Sequence, residues 1–316
     1  MPGRGWGLLA DMSQPLFTVV IPVYNRAHLL GETIRSVLAQ TCRDFEIIVV
    51  DDGSDDNPDA VPEALGDRRI RLIRQDHSGA NTARNRGIDA ARGRYVAFLD
   101  SDDRFMPHHL EAVAAVLRTS PETVVHGRVR VDRGGGRYNV KPPRGLAPGE
   151  HMAEYLLCER GFVATSSLVV PTSVAREVRY LEGLPYGQDT DFAIRLYLHG
   201  MHFHLLAEPS VVWRDVADPE RISARSVPEV RLRWLEGIRS EIPARAYHGH
   251  RGWFLAKSYA RSGRLWKALT LYASAVGHRC YRPRLAMIIA MQILFPAGAY
   301  RRIADFYLAR ISHRRS

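Results

Sequence analysis

Along the chain, unbroken apolar blocks alternate with stretches in which apolar side chains recur every three or four residues. Residues 17–22 (FTVVIP), 45–50 (FEIIVV) and 95–99 (YVAFL) are short and rich in β-branched or aromatic side chains, the pattern of strands buried on both faces. Residues 70–73 read as a further strand. Between these blocks, helices are predicted over 28–40, 59–65 and 80–91. In the first of them Leu29, Leu30, Ile34, Val37 and Leu38 line one face. A helix over about 107–118 follows the fourth strand. Four strand–helix alternations predict parallel strands joined by right-handed crossovers, an α/β fold.

The alternation stops near 131. Gly134-Gly-Gly136 reads as a turn, 141–149 as a mobile loop rich in Pro and Gly, and 152–160 as a helix. A strand over 166–170, a helix over 191–199 and two short strands over 203–206 and 210–213 complete this part. Farther on, Trp253, Ala256, Tyr259 and Ala260 form one helical face and Leu265, Ala268, Leu269, Tyr272 and Val276 another, with Ser262-Gly263 between them. The most apolar window, 285–299, is about fifteen residues long. That is short of the ~20 needed to span a bilayer, and with arginines on both flanks it suits a helix lying in a membrane interface or, equally, one packed on the preceding domain.

Charge sharpens this picture. Of 44 Lys and Arg and 34 Asp and Glu, 14 and 1 fall from Arg245 onward, leaving 30 and 33 before that point. The whole net charge of +10 therefore belongs to the tail, and an anionic partner is expected there. Cys42, Cys158 and Cys280 are widely spaced and form no CxxC pair, so neither a disulfide framework nor a zinc site is expected and a reducing cytosol is the default. Residues 1–14 lack the long apolar core of a secretory signal and read as a disordered leader. No GxxxxGK[ST] run is present, and no GxGxxG follows a strand, which excludes a P-loop and argues against dinucleotide binding.

The candidate chemistry lies where the strands end. Pro22-Val-Tyr-Asn25, Asp51-Asp-Gly-Ser54, His77-Ser-Gly79 and Asp100-Ser-Asp102 each follow a predicted strand. Carboxyl ends of parallel strands share one edge of the sheet, the edge at which open α/β folds bind ligands. Carboxylates crowded at the end of a buried strand are costly unless compensated, and a divalent cation is the usual compensation. Asp102 or Asp103 could alternatively cap the helix that follows.

The ordered set Pro22-Val-Tyr-Asn25, Asp51-Asp-Gly-Ser54, Asn81-x-x-Arg84-Asn85-x-Gly87 and Leu99-Asp-Ser-Asp-Asp103 resembles the family 2 glycosyltransferases of GT-A fold. The resemblance covers about residues 15 to 215. It implies a Rossmann-like, mostly parallel sheet flanked by helices, followed by a helical basic region. Residues 15–131 would form the nucleotide-sugar-binding half, 132–225 the acceptor-binding half, and 226–316 a helical basic tail. Asp102 would hold Mn²⁺ or Mg²⁺, with Asp100 facing the ribose or a metal-bound water and Ser101 between them. Asp52 would read the ring N–H of uracil, a donor that thymine also presents. Pro22, Val23 and Tyr24 would contact the base, Arg84 a phosphate or the aspartates, and Asn81 the ribose or its own loop. Gln188-Asp-Thr-Asp191 resembles the family's acidic motif with Gln188 in place of the usual Glu. It makes Asp189 the base that deprotonates an acceptor hydroxyl, with inversion at the anomeric carbon. Where many relatives carry a His after Trp213-Arg214, this chain has Asp215-Val-Ala-Asp218, and no His ligand is assigned.

The resulting expectation is an inverting, metal-dependent enzyme moving a sugar from a nucleotide donor, UDP-linked by preference, to a glycan or lipid-linked acceptor in surface polysaccharide synthesis. The setting is cytoplasmic, peripheral on the inner face of the inner membrane, with 282–316 on anionic lipid. The alternative is a non-catalytic membrane-associated or nucleic-acid-binding protein on a degenerate GT-A fold. It lacks any recognised nucleic-acid-binding module, so no nucleic acid is expected.

Overall fold

A computed structural model describes residues 14–132, 138–215 and 227–295. Expectations for the leader, for Gly134-Gly-Gly136, for Val216-Ala-Asp218 and for 296–316 therefore lie outside the described residues. The chain divides into two compact units. The first comprises 1–141, 163–183 and 195–217, and the second 142–162, 184–194 and 218–316.

Among the described residues, nine strands fall in the first unit: β1 (Phe17–Val23), β2 (Phe45–Asp51), β3 (Ile70–Arg74), β4 (Tyr95–Phe98), β5 (Arg104–Phe105), β6 (Thr123–Asp132), β7 (Tyr138–Lys141), β8 (Leu168–Pro171) and β9 (His202–Arg214). They form one sheet in the order β3-β2-β1-β4-β8-β6-β9-β5, with β7 paired to β6. β1 is parallel to both β2 and β4, and β2 is parallel to β3. Every residue of β1, β2 and β4 is buried, in keeping with their mostly apolar sequences, and the buried Thr18 and Glu46 are bonded to each other at 2.8 Å. β3 closes the edge and is only partly buried, so Arg71 and Arg74 are tolerated there.

Helices α1 (Ala27–Leu38), α2 (Ala60–Leu65), α3 (Ala80–Ala90) and α4 (His109–Thr119) make or follow the crossovers, as the spacing predicts. α3 lies directly on β1. A Cβ on Gly87 would sit 2.3 Å from Val20 Cγ1, so only glycine permits that approach.

Beyond β4 the sheet turns mixed. β8 runs antiparallel to β4 and to β6, while β6 and β9 are parallel. The two short strands expected over 203–206 and 210–213 are one strand, β9. Pro209 interrupts the apolar pattern, yet it pairs with Arg128 where the β6–β9 register shifts, a place at which a residue without N–H is accommodated. Neither Asp102 nor Asp103 caps α4, whose N-cap position is His108 without a side-chain cap bond.

The second unit is helical: α5 (Met152–Cys158), the part of α7 (Gln188–Leu198) up to Ile194, α8 (Pro228–Gly237), α9 (Ala244–His250), α10 (Ala256–Arg261), α11 (Leu265–Gly277) and α12 (Pro283–Leu294). The first unit's remaining helix is α6 (Thr172–Val178). A π-helical turn, Arg251–Leu255, joins α9 to α10. Arg245 ties the unit together, donating to Glu154 at 3.2 Å, Glu159 at 2.6 Å and the Cys280 carbonyl at 3.0 Å. Residues 142–149 form neither helix nor strand, and Arg144 anchors them on Glu150 at 2.6 and 2.7 Å. Among the described residues, no helix is long and apolar enough to cross a membrane.

Candidate active site

Three loops leave the carboxyl ends of β1, β2 and β4 side by side. The first two are stitched together: Asn25 N donates to Ser54 Oγ at 3.0 Å, Asp55 N to Asn25 Oδ1 at 2.8 Å, and Ala27 N to Asp56 Oδ2 at 2.7 Å. This explains why Asn25 and Ser54 accompany the acids. Asp51 is structural, its Oδ1 accepting from Ser54 N at 2.9 Å while Arg74 Nε stands 3.3 Å from Oδ2. Gly53 has φ +77°, and a Cβ there would meet His77 N at 2.8 Å.

Asp52 is buried and densely bonded. Its Oδ1 accepts from Gln75 Nε2 at 2.7 Å and Ser78 N at 2.9 Å, and its Oδ2 from Gly79 N at 2.9 Å, with His77 Nδ1 3.0 Å away. The carboxylate thus shapes the loop that opens α3. An open cleft of about 480 Å³ lies beside it, lined by Gly53, Arg74, Gln75, Asp76 and His77. Pro22 and Val23 are buried on β1, while Tyr24 is exposed and stacks on the His77 ring at 4.0 Å.

α3 supplies the next layer. Arg84 is buried and donates to Asp100 Oδ1 at 2.6 Å and Asn81 Oδ1 at 3.1 Å, with its guanidinium 5.2 Å from the Tyr180 ring centre. Asn81 Nδ2 donates to the Leu181 carbonyl at 2.7 Å, and Asn85 exchanges bonds with Tyr180 O and N at 2.9 and 2.8 Å. Both asparagines therefore brace segment 180–182 against α3.

The loop after β4 carries three carboxylates in three environments. Asp100 meets Arg84. Asp102 Oδ2 accepts from Arg26 Nη1 at 2.7 Å. Asp103 is fully buried, accepting from Ser166 Oγ at 2.5 Å and Arg214 N at 3.0 Å. Burial, then the negative charges of Asp102 and Asp100, push its carboxyl well above the usual range. Ser101 is buried, and its carbonyl, like that of Asp103, accepts from Thr33 Oγ1 at 2.9 Å.

The first unit thus brings together Pro22, Val23, Tyr24, Asp52, Asn81, Arg84, Asp100, Ser101 and Asp102 along one edge. Four further side chains join them: Arg26, Gln75, His77 and Ser166. The sequence places the 77–79 loop on this edge without a role for the ring, and nothing in the local pattern marks Ser166. Asp189 lies in the second unit at the start of α7, directly after Gly187, which has φ +80°. Its Oδ1 accepts from Thr190 N at 2.8 Å. Around it, Tyr186 Oη donates to Val227 O at 2.5 Å, Arg231 stacks on Tyr186 at 4.6 Å, and Trp234 Nε1 donates to Asp191 at 2.8 Å.

The sheet flanked by helices, half of its strand pairs parallel, has the fold of a GT-A glycosyltransferase. Residues 18–170 match the profile of glycosyl transferase family 2, and 95–299 that of glycosyl transferase family group 2. The chain belongs to the family 2 glycosyltransferases. It is 28% identical over 268 residues to the amylovoran biosynthesis glycosyltransferase AmsB of Erwinia amylovora, covering 81% of this chain and 89% of that protein. It is 33% identical over 190 residues to a glycosyltransferase of Rickettsia bellii, spanning 58% of this chain and 27% of the longer relative. The fold is similar to that of S. aureus TarS residues 1–349, solved with UDP-GlcNAc, at a TM-score of 0.63 and 19% identity, over 93% of this chain and 91% of that one.

Proposed function

We propose that the enzyme transfers a sugar from a UDP-sugar to a hydroxyl of a glycan or lipid-linked saccharide, with inversion and with a divalent cation, in the synthesis of a surface polysaccharide. The observation that carries this reading is the convergence of Asp52, Arg84, Asp100 and Asp102 on one sheet edge, with an open cleft next to Asp52. The UDP-GlcNAc held by TarS and the amylovoran role of AmsB support the donor class and the setting. In this reading 15–131 carry the donor side and 132–225 the acceptor side.

The donor set fits Mn²⁺ or Mg²⁺. Asp100 and Asp102 offer hard oxygens on one loop, the donor type such cations prefer. Among the described residues no cluster of three or more His, Cys, Asp or Glu is arranged to hold a metal. Bound at Asp102, it would neutralise charge on the departing diphosphate.

The chain's own residues do the rest. Asp52, which already organises the 75–79 loop, presents the cleft to a uracil ring, with Tyr24 as a stacking face carried on the buried end of β1 at Pro22 and Val23. Arg84 fixes Asp100 through its planar fork of donors. Asn81 holds the loop through which the ribose is approached. Asp189 accepts the proton of the acceptor hydroxyl as its oxygen attacks the anomeric carbon opposite the diphosphate.

The tail, 282–316, rests on anionic lipid at the cytoplasmic face. Support comes from α10 to α12, where 256–295 carry seven Lys and Arg and no acid, and from Trp266, 83% exposed on α11. Loss of liposome sedimentation on deleting 282–316 is the expected result, and unchanged sedimentation removes that part of the proposal.

The decisive experiment is calorimetry with UDP and MnCl₂ together with turnover of a UDP-sugar panel. Wild type is expected to bind and turn over, and Asp102→Asn to lose both. Absence of turnover, with UDP binding untouched by Asp102→Asn, overturns the reading.

A further inference from the structure

Asp100 and Asp102 are each paired with an arginine, but the two pairs are built differently. Arg84 is 5% exposed, is bonded to Asn81 and lies against Tyr180, so its hold on Asp100 is a fixed strut. Arg26 is 33% exposed, and Asp102 17%. An ion pair this open to water is weak, because solvent competes for both partners and the long side chain must be immobilised. Arg26 stands on the loop after β1 and Asp102 on the loop after β4. These strands are parallel neighbours, so both loops leave the sheet at the same edge.

The Oδ2 that accepts from Arg26 at 2.7 Å is an oxygen that a cation at Asp102 would need. Guanidinium and cation therefore compete for one carboxylate. A displaced Arg26 would remain beside a newly arrived diphosphate, whose oxygens its planar donor fork matches.

We propose that Arg26 exchanges partners during donor binding, pairing with Asp102 when no nucleotide is bound and with the leaving diphosphate when the donor is in place. The proposal rests on the metal- and nucleotide-dependent reading above. It gives Arg26 two uses: it offsets the carboxylate cluster in the free protein and supplies positive charge to the leaving group in the complex. Arg84, locked from several sides, is unsuited to such an exchange.

The test is calorimetric titration of the full chain with MnCl₂ alone, and with UDP at saturating Mn²⁺, for wild type, Arg26→Ala, Arg26→Lys and Asp102→Asn. Arg26→Ala is expected to tighten Mn²⁺ binding roughly threefold by removing the competitor. The same variant is expected to weaken UDP about tenfold by removing a charge-assisted hydrogen bond. Arg26→Lys, which keeps the charge, should recover most of the UDP affinity. If Arg26→Ala does not fold, Arg26→Gln is expected to give the same pair of opposite changes. A merely structural role would move both affinities together, and that result, or no change in either, overturns the proposal. Failure of the underlying reading looks different: wild type binds no UDP with Mn²⁺, or Asp102→Asn binds it undiminished.

Discussion

Ser166 Oγ donates to Asp103 Oδ2 at 2.5 Å and accepts from the Asp100 backbone amide at 3.1 Å. One hydroxyl, brought in on the 3₁₀ turn before β8, holds both ends of the acidic loop after β4. Ser166→Ala leaves a buried carboxyl short of a partner and frees the Asp100 amide. A loss of about 1–3 kcal/mol in urea unfolding is expected. An unchanged midpoint would show that the loop is held from elsewhere.

Arg84→Lys keeps the charge but not the fork that reaches Asp100 and Asn81 together. The donor KM is expected to rise roughly tenfold or more, the equivalent of one charged hydrogen bond, with the acceptor KM little affected. Steady-state kinetics with each substrate varied in turn separates the two.

Gly87→Ala places a methyl 2.3 Å from Val20 on the strand beneath α3. Overpacking of this kind costs roughly 1–3 kcal/mol, and denaturant titration should report it as a lower midpoint with the same slope.

Asp189→Asn retains the size of the side chain and removes its capacity to take a proton. Under the proposed role kcat falls on the order of 10²–10⁴-fold while UDP affinity stays as in wild type. A kcat within a few-fold of wild type would assign the base elsewhere.

His109, His126 and His250 are fully buried, and burial pushes each imidazole down to about 3. The native state therefore binds fewer protons than the unfolded chain between that value and the ordinary one near 6.5. The stability each contributes is present above about pH 6.5 and is lost as pH falls toward 3, by about 1.4 kcal/mol per pH unit for each histidine. His109→Phe, beside Phe105 and bonded to Ser210 in the native protein, should reduce that slope by one histidine's share in urea titrations at stepped pH.

The parallel half of the sheet could be read directly because burial on both faces leaves a local trace. A strand such as 45–50 admits a polar residue only where a partner waits for it, as Thr18 and Arg92 do for Glu46, so its largely apolar composition announces its place. The acids after those strands were legible for the same reason, since a carboxylate at the end of an apolar run breaks a strong pattern. The mixed half left no such trace. β6 pairs antiparallel with β8 and parallel with β9, and both partners are distant in the chain, so no window of residues encodes the choice. Pro209 looked like an end and is a register shift within one strand.

Within the site, the run Asp100-Ser-Asp-Asp103 established that carboxylates gather at one strand end. Its own letters could not say that Asp103 would accept from the β9 backbone, that Asp100 would be locked by Arg84, or that Asp102 would meet Arg26 from the neighbouring loop. Those differences come from Ser166, Arg214, Arg84 and Arg26, which reach the loop from four other elements. Local periodicity records which side chains are buried. Which charge each buried or half-buried group meets is set only when the chain has closed on itself.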